Sequence, residues 1–252
     1  MKHSTTALAA ISLALSLSTS HAQKADPAAV AQHIANATAA AKSDLLGPLG
    51  LCKTATPTPG PSFMDMYKAA VNEPPLAPMQ VMDELYFLGA KWSTAWALKT
   101  SAGIIIIDSM DNSDEAENYI AGGLRKLGLD PADIKYVIVS HAHGDHDGGA
   151  GYLKEKFTPR IVMSEIDWQA EETAQRDPLF GTKRNPLFSA PPKRDMAIND
   201  GDTITLGDTT IKLYVIPGHT LGTLATVFTV HDHGDAHRAL AGGGTAYNFG
   251  LL

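Results

Sequence analysis

Cysteine is almost missing from this chain: Cys52 is the only one in 252 residues. One thiol cannot close an internal disulfide, and it cannot build a cysteine cage around a metal. Any metal must therefore be held by imidazole and carboxylate. Basic residues are also short, 20 Lys and Arg against 27 Asp and Glu, a formal net charge of −7. An acidic surface repels phosphate backbones and anionic lipid, which sets nucleic acid and membrane surfaces aside and leaves a small molecule as the expected partner. Long apolar runs are lacking too. The stretch from Ala7 to Leu17 is too short to span a bilayer.

That stretch has another use. Lys2 and His3 precede it and Ser20-His21-Ala22 follows it, the order of a secretory signal with a small-x-small cleavage site. Residues 1–22 are therefore read as a signal peptide and the product as periplasmic or secreted. Cleavage removes Lys2 and no acid, so the charge goes from −7 to −8 (−7 minus +1). Residues 23–79 read as an N-terminal extension. Its alanine-rich part, 23–44, is predicted helical, with Val30 and Ile34 one turn apart, and Gly47 to Pro61 reads as a linker. The main domain is placed at 80–252. Apolar residues are 44% of the chain, enough for a continuous core.

Within that domain Glu84–Leu88, Thr94–Leu98 and Gly103–Asp108 are predicted strands. The run Ile104 to Ile107 suits a strand covered on both faces. A helix is predicted over Ser113 to Leu127, with Ser113 as N-cap and Gly128 near its end. Lys135–Ser140 is a second buried strand, Gly149–Phe157 a helix and Arg160–Met163 a strand. Arg176–Arg194, with four prolines, reads as a long irregular loop. Asp202–Leu206, Thr209–Ile216, Leu224–Val230 and Arg238–Ala241 complete a β-rich second half. Strands alternating with helices, followed by strands alone, predict an α/β (α+β) domain with layered sheets.

The chemistry concentrates after Ser140. His141-Ala142-His143-Gly144-Asp145-His146-Asp147 holds three histidines and two aspartates in seven residues, a grouping with no packing use behind a buried strand. In extended chain His141 and His143 point the same way. Small Ala142 and Gly144 leave room between them, and a bend at Gly144 can bring Asp145 and His146 to the same cavity. Three protein ligands and one open position is the catalytic zinc arrangement. His219, in Pro217-Gly218-His219-Thr220 at the end of another strand, is the expected third imidazole. Asp147 is read as a helix-start or supporting residue. His231, His233 and His237 are read as an exposed turn.

The string at 141–146 resembles the H-x-H-x-D-H signature of the metallo-β-lactamase superfamily, and Gly218-His219-Thr220 is similar to its next metal-binding segment. Asp108 is similar to the aspartate ending an early strand of that family. The resemblance covers about residues 83–252. It implies a four-layer αββα sandwich, with His141, His143 and His219 on one zinc ion and Asp145 and His146 on a second, so one or two ions. Many superfamily hydrolases place a metal-bridging aspartate where this chain has Gly242-Gly243-Gly244-Thr245, which is similar to the third β-lactamase subclass. The family's last histidine lies further on than Leu252, which predicts a C-terminally truncated chain.

Zinc on three imidazoles lowers the pKa of a bound water towards 7. The expected reaction is attack of that hydroxide on a carbonyl carbon, opening a cyclic amide of the β-lactam type, with Asp145 orienting the nucleophile. Lactone, ester or thioester hydrolysis is the alternative within the fold. An iron-dependent oxygenase and a catalytically silent metal-binding remnant are the alternatives outside it. Trp92, Trp96, Trp168 and the pairs Leu179-Phe180 and Leu187-Phe188 are candidate walls of the cleft, or ordinary core.

Overall fold

The computed structural model describes residues 26–43, 49, 69, 75–176 and 187–244. The signal region, Cys52, most of the Gly47–Pro61 linker, Leu179-Phe180 and residues 245–252 lie outside them. By contacts the chain divides into residues 1–54 with 252, and residues 55–251. In the first unit helix α1 runs Pro27–Ala41. Asp26 caps it by accepting from the Ala28 N–H, and Pro27 occupies the first turn, where no N–H is needed. Val30 and Ile34 are exposed.

The second unit holds two sheets. Among the described residues the larger has seven strands in chain order: β1 Met79–Gln80, β2 Leu85–Gly89, β3 Thr94–Thr100, β4 Gly103–Ile107, β5 Ile134–Ile138, β6 Arg160–Ser164 and β7 Met196–Ile198. The pairs from β1 to β4 are antiparallel, and those from β4 to β7 are parallel. The smaller sheet is antiparallel in the order β11-β10-β9-β8, from β8 Thr203–Leu206, β9 Thr209–Val215, β10 Leu224–Asp232 and β11 Asp235–Gly242.

Strand alternation sorts the larger sheet's side chains into two cores. Ala95, Ala97, Ile104, Ile106, Val137, Ile161 and Met163 face the helices with Ile120, Leu124 and Leu153. Leu98, Ile105, Ile107, Ile138 and Val162 face the smaller sheet, meeting Ile211, Leu213, Leu224 and Phe228. The isoleucine run is thus buried on both faces, as its composition predicts. Helices on one face of a sheet that packs on a second sheet are the α/β sandwich expected from the sequence. Among the described residues no helix follows β8.

The helical elements differ in detail from expectation. α2 spans 113–126, an α-turn Ser113–Glu115 passing through π-helical Ala116–Ala121 into Gly122–Lys126. Its N-cap is Asn112, whose side chain accepts from the Glu115 N–H at 3.0 Å, rather than Ser113. A short turn α3, Gly144–Asp147, precedes α4, Ala150–Phe157. Helix α5, Glu165–Arg176, and the edge strand β7 were not anticipated. The polar composition of 165–176 hides α5, but Trp168 on it is buried and donates its indole N–H to the Met196 carbonyl at 3.0 Å. Trp168 is therefore core, not a cleft wall, and Trp96 packs edge-on against Phe87 at 5.4 Å between the sheets. β11 is longer than predicted, and the β10–β11 turn is His233-Gly234, both at positive φ. His233 is exposed, as read, whereas His231 lies on β10 with its Nδ1 2.9 Å from Glu84 Oε1.

Candidate metal centre

Because β4, β5 and β6 run parallel, their C-terminal ends share one edge of the sandwich. β4 delivers Asp108, β5 delivers Ser140 through His146, and β6 leads through Ser164 into Asp167. The β9–β10 loop brings His219 to the same edge, anchored by the Leu224 N–H donating to the Ser140 carbonyl at 2.8 Å.

Three ring nitrogens converge there. His141 Nε2 is 3.1 Å from His143 Nδ1, which is 3.0 Å from His219 Nε2. Tetrahedral zinc with Zn–N bonds of about 2.0–2.1 Å sets its nitrogens about 3.3 Å apart, so this triangle fits such an ion. A second cluster comprises His141, Asp145 and His146; within each cluster one ligand atom per residue lies within 4.8 Å of the others. His146 Nε2 is 3.6 Å from Asp145 Oδ2. The described donors give three imidazoles to one ion and leave only Asp145 and His146 unshared for another.

His141 and His143 meet for a reason other than strand alternation. The chain has left β5, and the His143 N–H donates to the His141 carbonyl at 2.9 Å, a tight turn. One ring therefore presents Nε2 and the other Nδ1. His141 is fully buried. Burial, then the neighbouring His146, His143 and His219, drive its pKa far down, while the Gly243 carbonyl works the other way. His143 is lowered to about 4, first by burial and then by His219, against Asp145. Both rings are neutral at pH 7 and so available as ligands.

Supporting groups fix the orientations. Asp108, at φ +64°, accepts from the Ser140 N–H at 2.7 Å and from Ser140 Oγ at 3.0 Å. Its Oδ2 is 2.9 Å from His146 Nδ1. Ser140 Oγ is also 3.1 Å from His141 Nδ1. Ser109 holds the His146 carbonyl through its N–H and its hydroxyl. Asp167 accepts from the Ala142 N–H, Thr220 Oγ1 and the Gly222 N–H at 2.8–3.0 Å. Burial raises its pKa, and those three donors pull against that. Sequence reasoning missed Asp167 because it stands alone, 20 residues past the histidine string, on a helix with no apolar signature. Asp147 ends α3 and is fully buried.

Several glycines at this edge are required by space, among them Gly148 and Gly244. A Cβ on Gly148 would stand 1.9 Å from the Asp111 carbonyl oxygen, and one on Gly244 would stand 2.5 Å from the His219 ring. Gly244 therefore packs directly on the His219 ring. Of the apolar wall candidates, Phe188 lies at the site, its ring 2.4 Å from where a Gly144 Cβ would be.

A model of the metallo-beta-lactamase superfamily matches residues 92–232, more than half of the chain. The chain belongs to that superfamily. Among solved structures it is similar to BJP-1, a subclass B3 metallo-beta-lactamase of Bradyrhizobium japonicum, at 32% identity and a TM-score of 0.60, covering 68% of this chain and 63% of that one. Among curated relatives it is similar to a hydroxyacylglutathione hydrolase of Rhodopseudomonas palustris, 32% identical over 45% of this chain and 34% of the relative. It is also similar to the acyl-coenzyme A thioesterase MBLAC2 of Gallus gallus, 21% identical over 68% of this chain and 64% of the relative. The chain thus spans less than two thirds of both curated relatives. No helix among the described residues is long and apolar enough to cross a membrane.

Proposed function

We propose that this superfamily member is an exported zinc-dependent hydrolase that opens a cyclic amide of the β-lactam type. Residues 80–252 form the catalytic domain and residues 1–22 the export signal. The observation that carries the substrate class is that Gly242-Gly243-Gly244 offers no carboxylate in the region where many superfamily hydrolases have a bridging aspartate. The similarity to a subclass B3 enzyme supports the same reading.

His141, His143 and His219 hold the ion, all through nitrogens on one side of the β-sandwich edge. Asp145 and His146 hold a second when one is present. Zinc bound there supplies a Lewis acid and a water that ionises near neutral pH. The rest is the chain's own work. Asp145 would accept the hydrogen bond that aims the attacking oxygen at the carbonyl carbon, and would pass the proton it takes to the lactam nitrogen as the C–N bond breaks. Asp108 and Ser140 keep the rings of His146 and His141 from rotating. Phe188, over Gly144, covers one side of the site.

The thioester reading has its own support, since two of the relatives are named for glutathione and coenzyme A thioesters. The deciding experiment offers purified, zinc-loaded protein nitrocefin, a lactone panel and a glutathione thioester side by side. Turnover of nitrocefin well above the others is expected. Thioester or lactone turnover with none of nitrocefin replaces the substrate assignment.

A further inference from the structure

The two segments that carry the three converging imidazoles are far apart in sequence, and a single buried carboxylate joins them. Asp167 is 1% exposed. Its Oδ2 accepts from the N–H of Ala142, the residue between His141 and His143, at 2.9 Å. The same oxygen accepts from Thr220 Oγ1, next to His219, at 2.8 Å. Oδ1 accepts from the Gly222 N–H at 3.0 Å. Every partner is a donor, so both oxygens must be acceptors.

The surroundings are shaped to this carboxylate. The Asp167 N–H donates to Ser164 Oγ at 3.1 Å, which fixes the first turn of α5. A Cβ on Gly222 would stand 2.5 Å from Asp167 Oδ1, so only glycine lets the β9–β10 loop come this close. Thr223 Oγ1 is 2.9 Å from Thr220 Oγ1 and accepts from the Thr220 N–H at 2.7 Å, which holds the Thr220 side chain in place.

We propose that Asp167 is the positioning residue of the metal centre: it ties the 141–143 turn to the 219–222 loop and so sets the spacing of the three imidazoles before any ion arrives. The inference rests on the metal-centre reading. Without this link the Leu224 N–H to Ser140 carbonyl bond still anchors the base of the β9–β10 loop, but the 219–222 tip is held less closely against the 141–143 turn, and an ion has to order it on binding. Asparagine cannot replace it, because its amide nitrogen would face a donor.

The test uses the full chain and cobalt(II) alone as the probe, with affinity from chelator competition and geometry from visible absorption. D167N is expected to bind cobalt about 10–100-fold more weakly, the scale for groups that orient ligands, with an altered absorption band. T220V should lose affinity in the same direction, T220S should restore it, and T220V should add nothing in the D167N background. If D167N does not fold, T220V and T220S decide alone. Cobalt affinity and spectrum unchanged in folded T220V, or in folded D167N, overturn the proposal while leaving the metal site standing. A wild-type chain that binds no more cobalt than H143A overturns the metal reading and this inference with it.

Discussion

His146 Nδ1 lies 2.9 Å from Asp108 Oδ2, and this contact joins the end of β4 to the ligand turn after β5. Burial works against charge on His146, but the Asp108 carboxylate and its hydrogen bond, then Asp145 and Asp111, push its pKa up to about 9. In the metal-free protein His146 is therefore an imidazolium at pH 7, unlike His141 and His143. Its folded pKa exceeds the unfolded value of about 6.5, so the stabilisation is complete below about 6.5 and lost as pH rises through about 9. Thermal unfolding of metal-free protein should show this decline between those values. In Asp108→Asn the decline should flatten, and the imidazole should titrate lower by NMR.

His143 sits between the other two imidazoles, its Nδ1 within 3.1 Å of both partner nitrogens. His143→Ala leaves a pair that cannot hold a four-coordinate ion against buffer. Metal analysis should find the ion of the His141, His143 and His219 site lost, whatever the His141, Asp145 and His146 cluster retains, with turnover of every substrate lost. Retained turnover would reject the assignment of this ring.

Adding zinc should also raise the melting temperature, because zinc binds the folded chain and not the dispersed donors. Removing zinc with a chelator is expected to lower it reversibly. At a hundredfold excess over the dissociation constant the gain is about 2.7 kcal/mol. A zinc-dependent rise of the same size in His143→Ala as in wild type would place the ion elsewhere.

Gly148 offers a test of packing at the same edge. With a Cβ 1.9 Å from a backbone oxygen of Asp111, Gly148→Ala must displace main chain rather than a flexible side chain. A loss of about 3 kcal/mol, the upper end for overpacking, is expected from denaturant unfolding, with metal affinity falling alongside. Gly151, whose Cβ would meet nothing within 4 Å, is the control, and Gly151→Ala should cost nothing.

Asp195 gathers Lys154 at 2.8 Å, Arg160 at 2.6 Å and the Ile161 N–H at 3.0 Å, away from the metal centre. Burial opposes its ionisation, but Lys154, the Ile161 N–H and Arg160 together hold its pKa below the ordinary value. A depressed carboxylate stabilises above the unfolded pKa of about 3.9 and loses this as pH falls through its folded value. Asp195→Asn should cost about 1 kcal/mol at pH 7, discounted because the cationic partners are exposed. The cost should vanish in acid, and hydrolytic rates should not change.

The candidate ligand string was legible because its signal is local: His141 to His146 are contiguous, and no packing demand explains so many imidazoles together. The Ile104–Ile107 run likewise announced a strand covered on both faces, since an apolar run that long has no exposed side. The polar sequence of Glu165–Arg176 hid a helix, because one buried tryptophan fixes that segment against β7. Only the tertiary structure decided which nitrogen each histidine turns towards the centre, because ring orientation is set by packed neighbours such as Ser140 Oγ, 3.1 Å from His141 Nδ1. It alone brought Asp167 between the two ligand segments, a contact set by parallel strand ends meeting at one edge. The identity of the candidate ligands was a property of residue chemistry; their spacing was a property of three strand ends and a loop folding onto one another.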